Sequence, residues 1–391
     1  MRELDFTLTA GPTQASPGTL AALGAPITYH YDPLFLTKFK EDERKVAEIF
    51  RTRSDVVLLQ GEAVLGLEAA ARGLVKPGMH CLCIVSGVFG KGLAERLRGS
   101  GAEVHELEVP YDDAADPDDV ARVLRERPEI ELVAVVHCET PSGTLNPVAE
   151  IGGAAKARGA LVLVDCVSTL GGVPLDPDSW GLDICVAGPQ KCLAGPAGPT
   201  LVTVSAEAWK SIYDNPMAPR MSYLSLIDWK EKWLENGVFP FTPLVSEIYG
   251  LDAACDELLA LGLEQSFARH ELAGRACRAG VRAMGLEVWA RREEIASPTL
   301  TAIRLPDQLT DLQVRTHARE HYGVMLSGAQ GAGNLIRIGH MGLTARGLHP
   351  LVGLAALGQT LVDLGVHVEI TEGLEAALTI LSTRGHEVPA L

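Results

Sequence analysis

A lysine and an aspartate, each at the end of an apolar run, are the residues of this sequence best suited to covalent chemistry. Lys191 follows the apolar run 183–187 in a loop of glycine and proline, and Asp165 ends the apolar run 160–165. A lysine with few aqueous neighbours loses its proton readily, so its amine can attack a carbonyl carbon. In an open α/β sheet, the carboxyl ends of parallel strands line the ligand site. The pattern therefore predicts that both side chains face one ligand.

The two side chains together indicate a vitamin B6 site. Such a site needs a carboxylate beside the protonated pyridine nitrogen and a lysine that forms an imine with an aldehyde. We expect Asp165 to supply the first and Lys191 the second, as a Schiff base. Each residue has an ordinary alternative. A lysine in such a loop is usually solvated, and Asp165, like Ser168, is a good helix cap.

Five motifs, in the same order along the chain, resemble those of the class V aminotransferases of fold type I. This family includes the alanine-glyoxylate and serine-pyruvate aminotransferases. The resemblance implies an α/β fold, in which a large domain with a mostly parallel, doubly wound sheet is joined to a smaller C-terminal α+β domain. The motifs lie at residues 8–12, 137–143, 164–168, 188–193 and 337–342.

The order of strand and helix patterns indicates the same organisation. Strands alternate with helices across short connections from about residue 16 to 255, as in a doubly wound sheet. We expect an N-terminal segment near the active site (1–15), a large B6-binding domain (16–255) and a small C-terminal domain (256–391). Gly262 is the expected stop or kink in the helical pattern between the two domains.

The resemblance assigns further residues to substrate binding. It implies that Phe89 stacks on the pyridine ring, that Thr140 contacts the ring 3-hydroxyl, and that the turn at Gly11 binds the substrate carboxylate through its backbone. Arg337 lies in an apolar strand pattern and needs an anion, which the keto-acid carboxylate supplies as a bidentate pair. The ordinary alternatives are a core phenylalanine, a turn threonine and a structural salt bridge.

The chain departs from the family where a cofactor phosphate would bind. In phosphate-dependent relatives, the junction at residues 61–65 is rich in Gly, Ser and Thr, and a helix N-terminus there holds the phosphate. This chain has Glu62 followed by apolar residues. A carboxylate beside a phosphate dianion is unfavourable by more than about 1 kcal/mol at an effective dielectric of about 20. In those relatives, a second subunit offers a tyrosine and a threonine to the phosphate. Here Phe239 stands at the tyrosine position, and only Thr242 keeps its hydroxyl. We expect Phe239, Thr242 and Gln190 to contact the B6 compound.

These departures resemble the pyridoxamine-pyruvate aminotransferases, a group within the family that uses the unphosphorylated vitamin as a substrate. The resemblance implies that pyridoxamine and pyruvate give pyridoxal and L-alanine, in vitamin B6 degradation, through a Schiff base on Lys191. Glu62 would bind the 5′ hydroxymethyl group, and no tightly bound cofactor is needed. A second arginine is expected in the turn 327–333, where this chain has Gln330, and a tyrosine is usual at Phe89.

Two alternatives stay open. One is a pyridoxal-phosphate-dependent alanine-glyoxylate, serine-glyoxylate or serine-pyruvate aminotransferase, which binds its phosphate through Gln190, Thr242 and backbone amides. The other is a B6-binding protein without catalytic activity, against which the intact Asp165, Lys191 and Arg337 argue.

Composition limits the possible partners. The 391 residues carry a net charge of −16, which disfavours nucleic acid and acidic membranes. No apolar run approaches the roughly 20 residues of a membrane span, and no signal peptide is evident, so we expect a cytoplasmic protein. The eight cysteines lie mostly in strand-like runs without zinc-ligand spacing, which predicts buried reduced thiols and no metal. The resemblance implies a homodimer or homotetramer.

Overall fold

The computed structural model describes residues 4–382. Strands and helices alternate through the first half of the chain, and helices predominate in the second half. The strands are β1 (Phe6–Thr7), β2 (Asp55–Leu59), β3 (His80–Val85), β4 (Glu103–Glu108), β5 (Leu132–Val136), β6 (Cys138–Glu139), β7 (Thr144–Leu145), β8 (Leu161–Asp165), β9 (Ile184–Ala187), β10 (Thr200–Val204), β11 (Leu300–Arg304), β12 (Val324–Met325), β13 (Ser327–Gly328) and β14 (Leu335–Gly339).

Fourteen α-helices lie within the described residues, together with a π-helical turn over Trp229–Leu234. The helices are α1 (Pro17–Leu23), α2 (Pro33–Phe50), α3 (Ala63–Leu74), α4 (Val88–Gly99), α5 (Pro117–Glu126), α6 (Val148–Lys156), α7 (Pro177–Trp180), α8 (Ala206–Tyr213), α9 (Leu226–Asp228), α10 (Val245–Leu261), α11 (Leu263–Ala283), α12 (Asp311–Tyr322), α13 (His349–Asp363) and α14 (Ile370–Ser382).

A seven-stranded sheet forms the larger core, in the order β2-β10-β9-β8-β5-β3-β4. Five neighbouring strands run parallel, and β10 is antiparallel to both of its neighbours. The residues of β5 and β9 are all buried, as expected of apolar strands that are covered on both faces. The predicted α/β fold with a mostly parallel, doubly wound sheet is confirmed.

A three-stranded antiparallel sheet, in the order β11-β14-β13, forms the second core with α11 to α14. The start of the described chain belongs with it, because β1 pairs with β12 and Leu8 lies in this core. The predicted α+β character of the C-terminal part is confirmed.

The position of the domain division stays a prediction. Helix α10 packs with α1 and α2 and runs unbroken to Leu261. Gly262 follows with φ +86°, a conformation that L side chains rarely adopt, and α11 then joins the second core. We propose that the division lies at Gly262, since α10 crosses residue 255 without interruption.

All eight cysteines are buried free thiols. Every helix between residues 4 and 382 is too short or too polar to cross a membrane.

Two adjacent glycines in α6 provide a test of the packing. A Cβ atom at Gly152 would lie 2.2 Å from the backbone oxygen of Trp180, whereas at Gly153 it would meet nothing within 4 Å. We expect Gly152→Ala to destabilise the protein by about 1–3 kcal/mol through overpacking. Gly153→Ala should stabilise it by about 0.5–1 kcal/mol, because alanine loses less conformational entropy in a helix. Thermal unfolding of both variants measures this, and equal shifts in Tm would contradict the packing described here.

Candidate active site

Lys191 lies in the loop after β9, and its amine is buried. The side chain is 9 % exposed, and Nζ donates to Thr140 Oγ1 at 3.3 Å and to Ser168 Oγ at 3.2 Å. Burial lowers the pKa of Lys191 to about 8, and the charge of Arg337 adds to the decrease, while Asp165 opposes it. The amine is therefore far easier to deprotonate than that of a surface lysine.

Asp165 ends β8, the strand beside β9, so the sheet places its carboxylate near Lys191. Its Oδ1 accepts the N–H of Val167 at 2.9 Å. Burial raises the pKa of Asp165 to about 6, although this hydrogen bond and the charge of Lys191 oppose the rise. A carboxylate buried in this way can stabilise a cationic ring nitrogen, because the surrounding medium screens little.

Thr140 connects the lysine to the second core. Its hydroxyl accepts from Lys191 and hydrogen-bonds Ser168, and its carbonyl oxygen accepts from Arg337 Nη1 at 2.9 Å. Ser168 was considered in the sequence only as a possible helix cap. Its position three residues after Asp165, inside the same motif, was the signal that could have marked it as a site residue.

Arg337 lies in β14 opposite Ser327 and is buried, with 5 % of its surface exposed. Burial lowers the pKa of Arg337 to about 10. Its Nε has no hydrogen-bond partner among the described residues, and no carboxylate among them pairs with it. The structural salt bridge considered from the sequence is thus not formed within residues 4–382, and the guanidinium can accept an anion from solution.

Gly11 packs directly against the lysine. Its φ is +100°, and a Cβ atom there would lie 2.5 Å from Lys191 Cε. A cavity of about 960 Å³ opens beside it, lined among others by Gly11, Gln330, Arg337 and Arg315. The turn 327–333 supplies no arginine to this cavity. Arg315 of α12 does line the cavity, and its Nε donates to Asp311 at 3.0 Å.

Phe89 lies in the first turn of α4 and is half-buried. Its N–H donates to Glu139 Oε2 at 3.0 Å, and the N–H of Gly90 donates to Oε1 at 2.5 Å. Glu139 is fully buried and adjoins Thr140. Glu139 lies in the motif at 137–143, but its contacts with Phe89 and Gly90 could not be read from that motif, because these partners lie about fifty residues earlier in the chain.

Glu62 is exposed at the N-cap position of α3, and its side chain makes no capping hydrogen bond. The first turn of α3 begins with Ala63, Val64 and Leu65, whose side chains are all apolar. Gln190, beside the lysine, is buried, and its Oε1 has no partner among the described residues. The N-terminus of α3 thus carries a carboxylate and no side-chain hydroxyl.

Phe239 and Thr242 lie outside this group. The ring of Phe239 stacks on Trp233 with centroids 4.0 Å apart and is 6 % exposed. The ring is enclosed by aromatic residues of its own chain, and its contact with a B6 compound stays a prediction. Thr242 is exposed, and its carbonyl accepts from Gln60 Nε2 at 2.6 Å. No described contact joins Thr242 to Lys191.

Comparison with known proteins identifies the family. The model of the family described as "Aminotransferase class-V" matches residues 21–340. The chain belongs to the class V aminotransferases. It is 46 % identical over 378 residues to a pyridoxamine-pyruvate transaminase of Mesorhizobium japonicum, covering 96 % of each chain.

Two solved structures are similar to this chain over nearly its whole length. The crystal structure of pyridoxamine-pyruvate aminotransferase from Mesorhizobium loti has a TM-score of 0.96 and 45 % identity and covers 98 % of both chains. The ureidoglycine-glyoxylate aminotransferase of Bacillus subtilis has a TM-score of 0.92 and 29 % identity, covering 98 % of this chain and 99 % of its own. The family and fold predicted from the motifs are confirmed.

The buried lysine predicts a pH dependence. Because burial lowers the pKa of Lys191 to about 8, the neutral amine increases roughly tenfold per pH unit below that value and levels off above it. The rate of imine formation with pyridoxal, followed by absorbance in a stopped-flow instrument, should follow this curve. Arg337→Gln should move the midpoint upward, since it removes a cation that lowers this pKa. A rate that still rises steeply above pH 9 in the wild-type protein would contradict a buried amine.

The contact between Gly11 and Lys191 gives a second prediction. Gly11→Ala forces an L residue into a positive φ, at a cost of about 1–3 kcal/mol, and displaces the lysine side chain. We expect imine formation to slow about tenfold or more. The matched control is Gly159→Ala, which has a φ of +74° and nothing within 4 Å of its Cβ. It should lower Tm without slowing imine formation, and equal rates in both variants would exclude a functional contact at Gly11.

Proposed function

We propose that this chain transfers the amino group of unphosphorylated pyridoxamine to pyruvate, giving pyridoxal and L-alanine in vitamin B6 degradation. The observation that carries the proposal is the N-terminus of α3, where Glu62 and three apolar residues stand in place of hydroxyl groups. The identity of 46 % with a pyridoxamine-pyruvate transaminase supports it. A B6 compound that enters and leaves as a substrate requires no tightly bound cofactor.

Each candidate residue has a task in this reaction. Asp165 keeps the pyridine nitrogen protonated, so that the ring withdraws electrons from the reacting carbon. Lys191 carries a proton between the C4′ carbon of the B6 compound and the α-carbon of the amino acid, and forms the Schiff base with pyridoxal. The hydroxyls of Thr140 and Ser168 hold the lysine amine in place.

Binding is divided between the two ends of the site. Phe89 covers the pyridine ring. Stacking of two aromatic rings contributes roughly 0.5–1.5 kcal/mol to binding, in addition to the burial of their apolar surface. Glu62 accepts a hydrogen bond from the 5′ hydroxymethyl group, and Gln190 lies beside the lysine. Arg337 holds the pyruvate carboxylate, and Gly11 lines the same cavity.

Pyridoxal phosphate fits the described residues less well. When bound in this family, the group supplies an aldehyde for the lysine and an electron-withdrawing ring. Its phosphate would meet the Glu62 carboxylate at α3, with only Thr242 as a hydroxyl ligand if a partner subunit brings it near. The alternative of a pyridoxal-phosphate-dependent alanine-glyoxylate, serine-glyoxylate or serine-pyruvate aminotransferase is therefore the second candidate.

We also infer a cytoplasmic homodimer or homotetramer. The oligomer is supported by a set of large apolar side chains that are exposed in the single chain and concentrated in two segments. Such exposed apolar surface is typical of protein–protein contacts. The residues are Leu20, Ile27, Tyr29 and Leu34 in the first segment, and Met217, Met221, Tyr223, Val238 and Leu244 in the second.

A titration tests the proposed function. Dialysed protein is titrated with pyridoxal and, separately, with pyridoxal phosphate, followed by L-alanine. We expect tighter binding of pyridoxal and its conversion to free pyridoxamine. Glu62→Ala should weaken pyridoxal binding about tenfold, as expected for one hydrogen bond to a charged group, and improve binding of the phosphate form.

The control for the titration is Glu68→Ala, which removes a carboxylate of the same helix that pairs with Arg72. It should leave both affinities unchanged. If pyridoxal phosphate binds more tightly to the wild-type protein and stays bound through turnover, the second candidate is correct. Unchanged pyridoxal affinity in Glu62→Ala would show that Glu62 does not contact the B6 compound.

A further inference from the structure

Glu139 is a buried carboxylate to which the reaction as described gives no task. Both of its oxygens accept backbone N–H groups of the first turn of α4, from Phe89 at 3.0 Å and from Gly90 at 2.5 Å. Burial raises the pKa of Glu139 to about 7, although these two hydrogen bonds oppose the rise. Burying a carboxylate is costly unless it is hydrogen-bonded, so these two contacts hold the side chain in one place.

The chain around α4 leaves room for this carboxylate. Gly87 occupies the N-cap position, where serine or aspartate would ordinarily cap the helix from its own side chain. A Cβ atom at Gly87 would lie 2.4 Å from Glu139 Cδ. The helix is thus capped by a residue from a distant segment, and Gly87 permits the close approach.

The segment that carries Glu139 is itself fixed beside the lysine. Glu139 pairs with Thr144 across β6 and β7, and its carbonyl accepts the N–H of Gly143 at 2.7 Å. The next residue, Thr140, contacts both Lys191 and Arg337. One short segment therefore touches the lysine, the arginine and the backbone of Phe89.

We propose that Glu139 is a positioning residue, which fixes the backbone of Phe89 and thereby the height and angle of its ring over the B6 compound. The inference rests on the proposed function in that Phe89 covers the ring. Glu139 does not itself touch the substrate. It acts through Phe89, and it links the residue that covers the ring to the residues that hold the amine and the carboxylate.

A purely stabilising helix cap is the competing explanation, and a double-mutant cycle separates the two. Glu139→Gln preserves the shape but turns an NH₂ group toward one of the two N–H donors. Phe89→Leu removes the aromatic ring. Two residues that act through one contact give non-additive effects, whereas independent sites give additive ones. The readouts are the Kd for pyridoxal and the induced circular dichroism of the bound ring, which reports its orientation.

We expect Glu139→Gln to weaken pyridoxal binding at least fivefold and to alter the circular dichroism signal, with little change in the KM for pyruvate. The double variant should bind pyridoxal no more weakly than Phe89→Leu alone. Asp116→Ala is the matched control, because Asp116 caps α5 by accepting the N–H of Asp118 at 2.9 Å. It should lower Tm and leave the Kd for pyridoxal unchanged.

Additive effects, or an unchanged Kd in Glu139→Gln, would overturn the proposal. If Glu139→Gln does not fold, Glu139→Asp keeps the charge but shortens the reach, and the same cycle applies to it. Should the wild-type protein prefer pyridoxal phosphate, the proposed function fails. The double-mutant cycle is then measured with pyridoxal phosphate, so that the role of Glu139 is decided independently of the proposed function.

Discussion

The burial of the Lys191 amine is the constraint on which the rest of the site depends. A lysine amine can be neutral near pH 8 only if few waters reach it, and its neighbours must then satisfy it without a carboxylate in direct contact. Thr140 and Ser168 do this with hydroxyl groups. Gly11 leaves space for the aliphatic part of the side chain, since any Cβ there would collide with it. The amine is thus held in place while the energetic advantage of its protonated form is reduced.

The site is shared between the two cores, and the contact between Arg337 and Thr140 is one of those that join them. Arg337 comes from the antiparallel sheet, yet its guanidinium donates to the carbonyl of Thr140 beside the parallel sheet. The same cation lowers the pKa of Lys191. On the proposed function, a keto-acid carboxylate at Arg337 would neutralise that effect and favour proton uptake by the lysine. Because coupling between two binding equilibria is reciprocal, the protonation state of Lys191 would in turn affect keto-acid binding.

The sequence predicted what depends on local pattern, and missed what depends on contacts between distant segments. One apolar run ends in Asp165 and another precedes Lys191, and both patterns directly indicate parallel strands. Neighbouring parallel strands bring their carboxyl ends together at one edge of the sheet. Glu139 gave no such signal, because its task depends on the position of α4. The surroundings of Phe239, which stacks on Trp233, likewise depend on the packing of the aromatic core and not on the motif in which it lies.

The end of α3 differs from a phosphate site in a way that suits a substrate better than a cofactor. A phosphate contributes the same binding energy to the aldehyde and the amine forms of vitamin B6, and such uniform binding tightens the complex without accelerating the chemistry. For a resident cofactor, tight retention is an advantage. For a molecule that must leave after every turnover, it slows release. On the proposed function, Glu62 replaces a multidentate anion site with one hydrogen-bond acceptor, which lowers retention of the B6 compound. Asp165, Lys191 and Arg337 would still act on the parts of the substrates that change during the reaction.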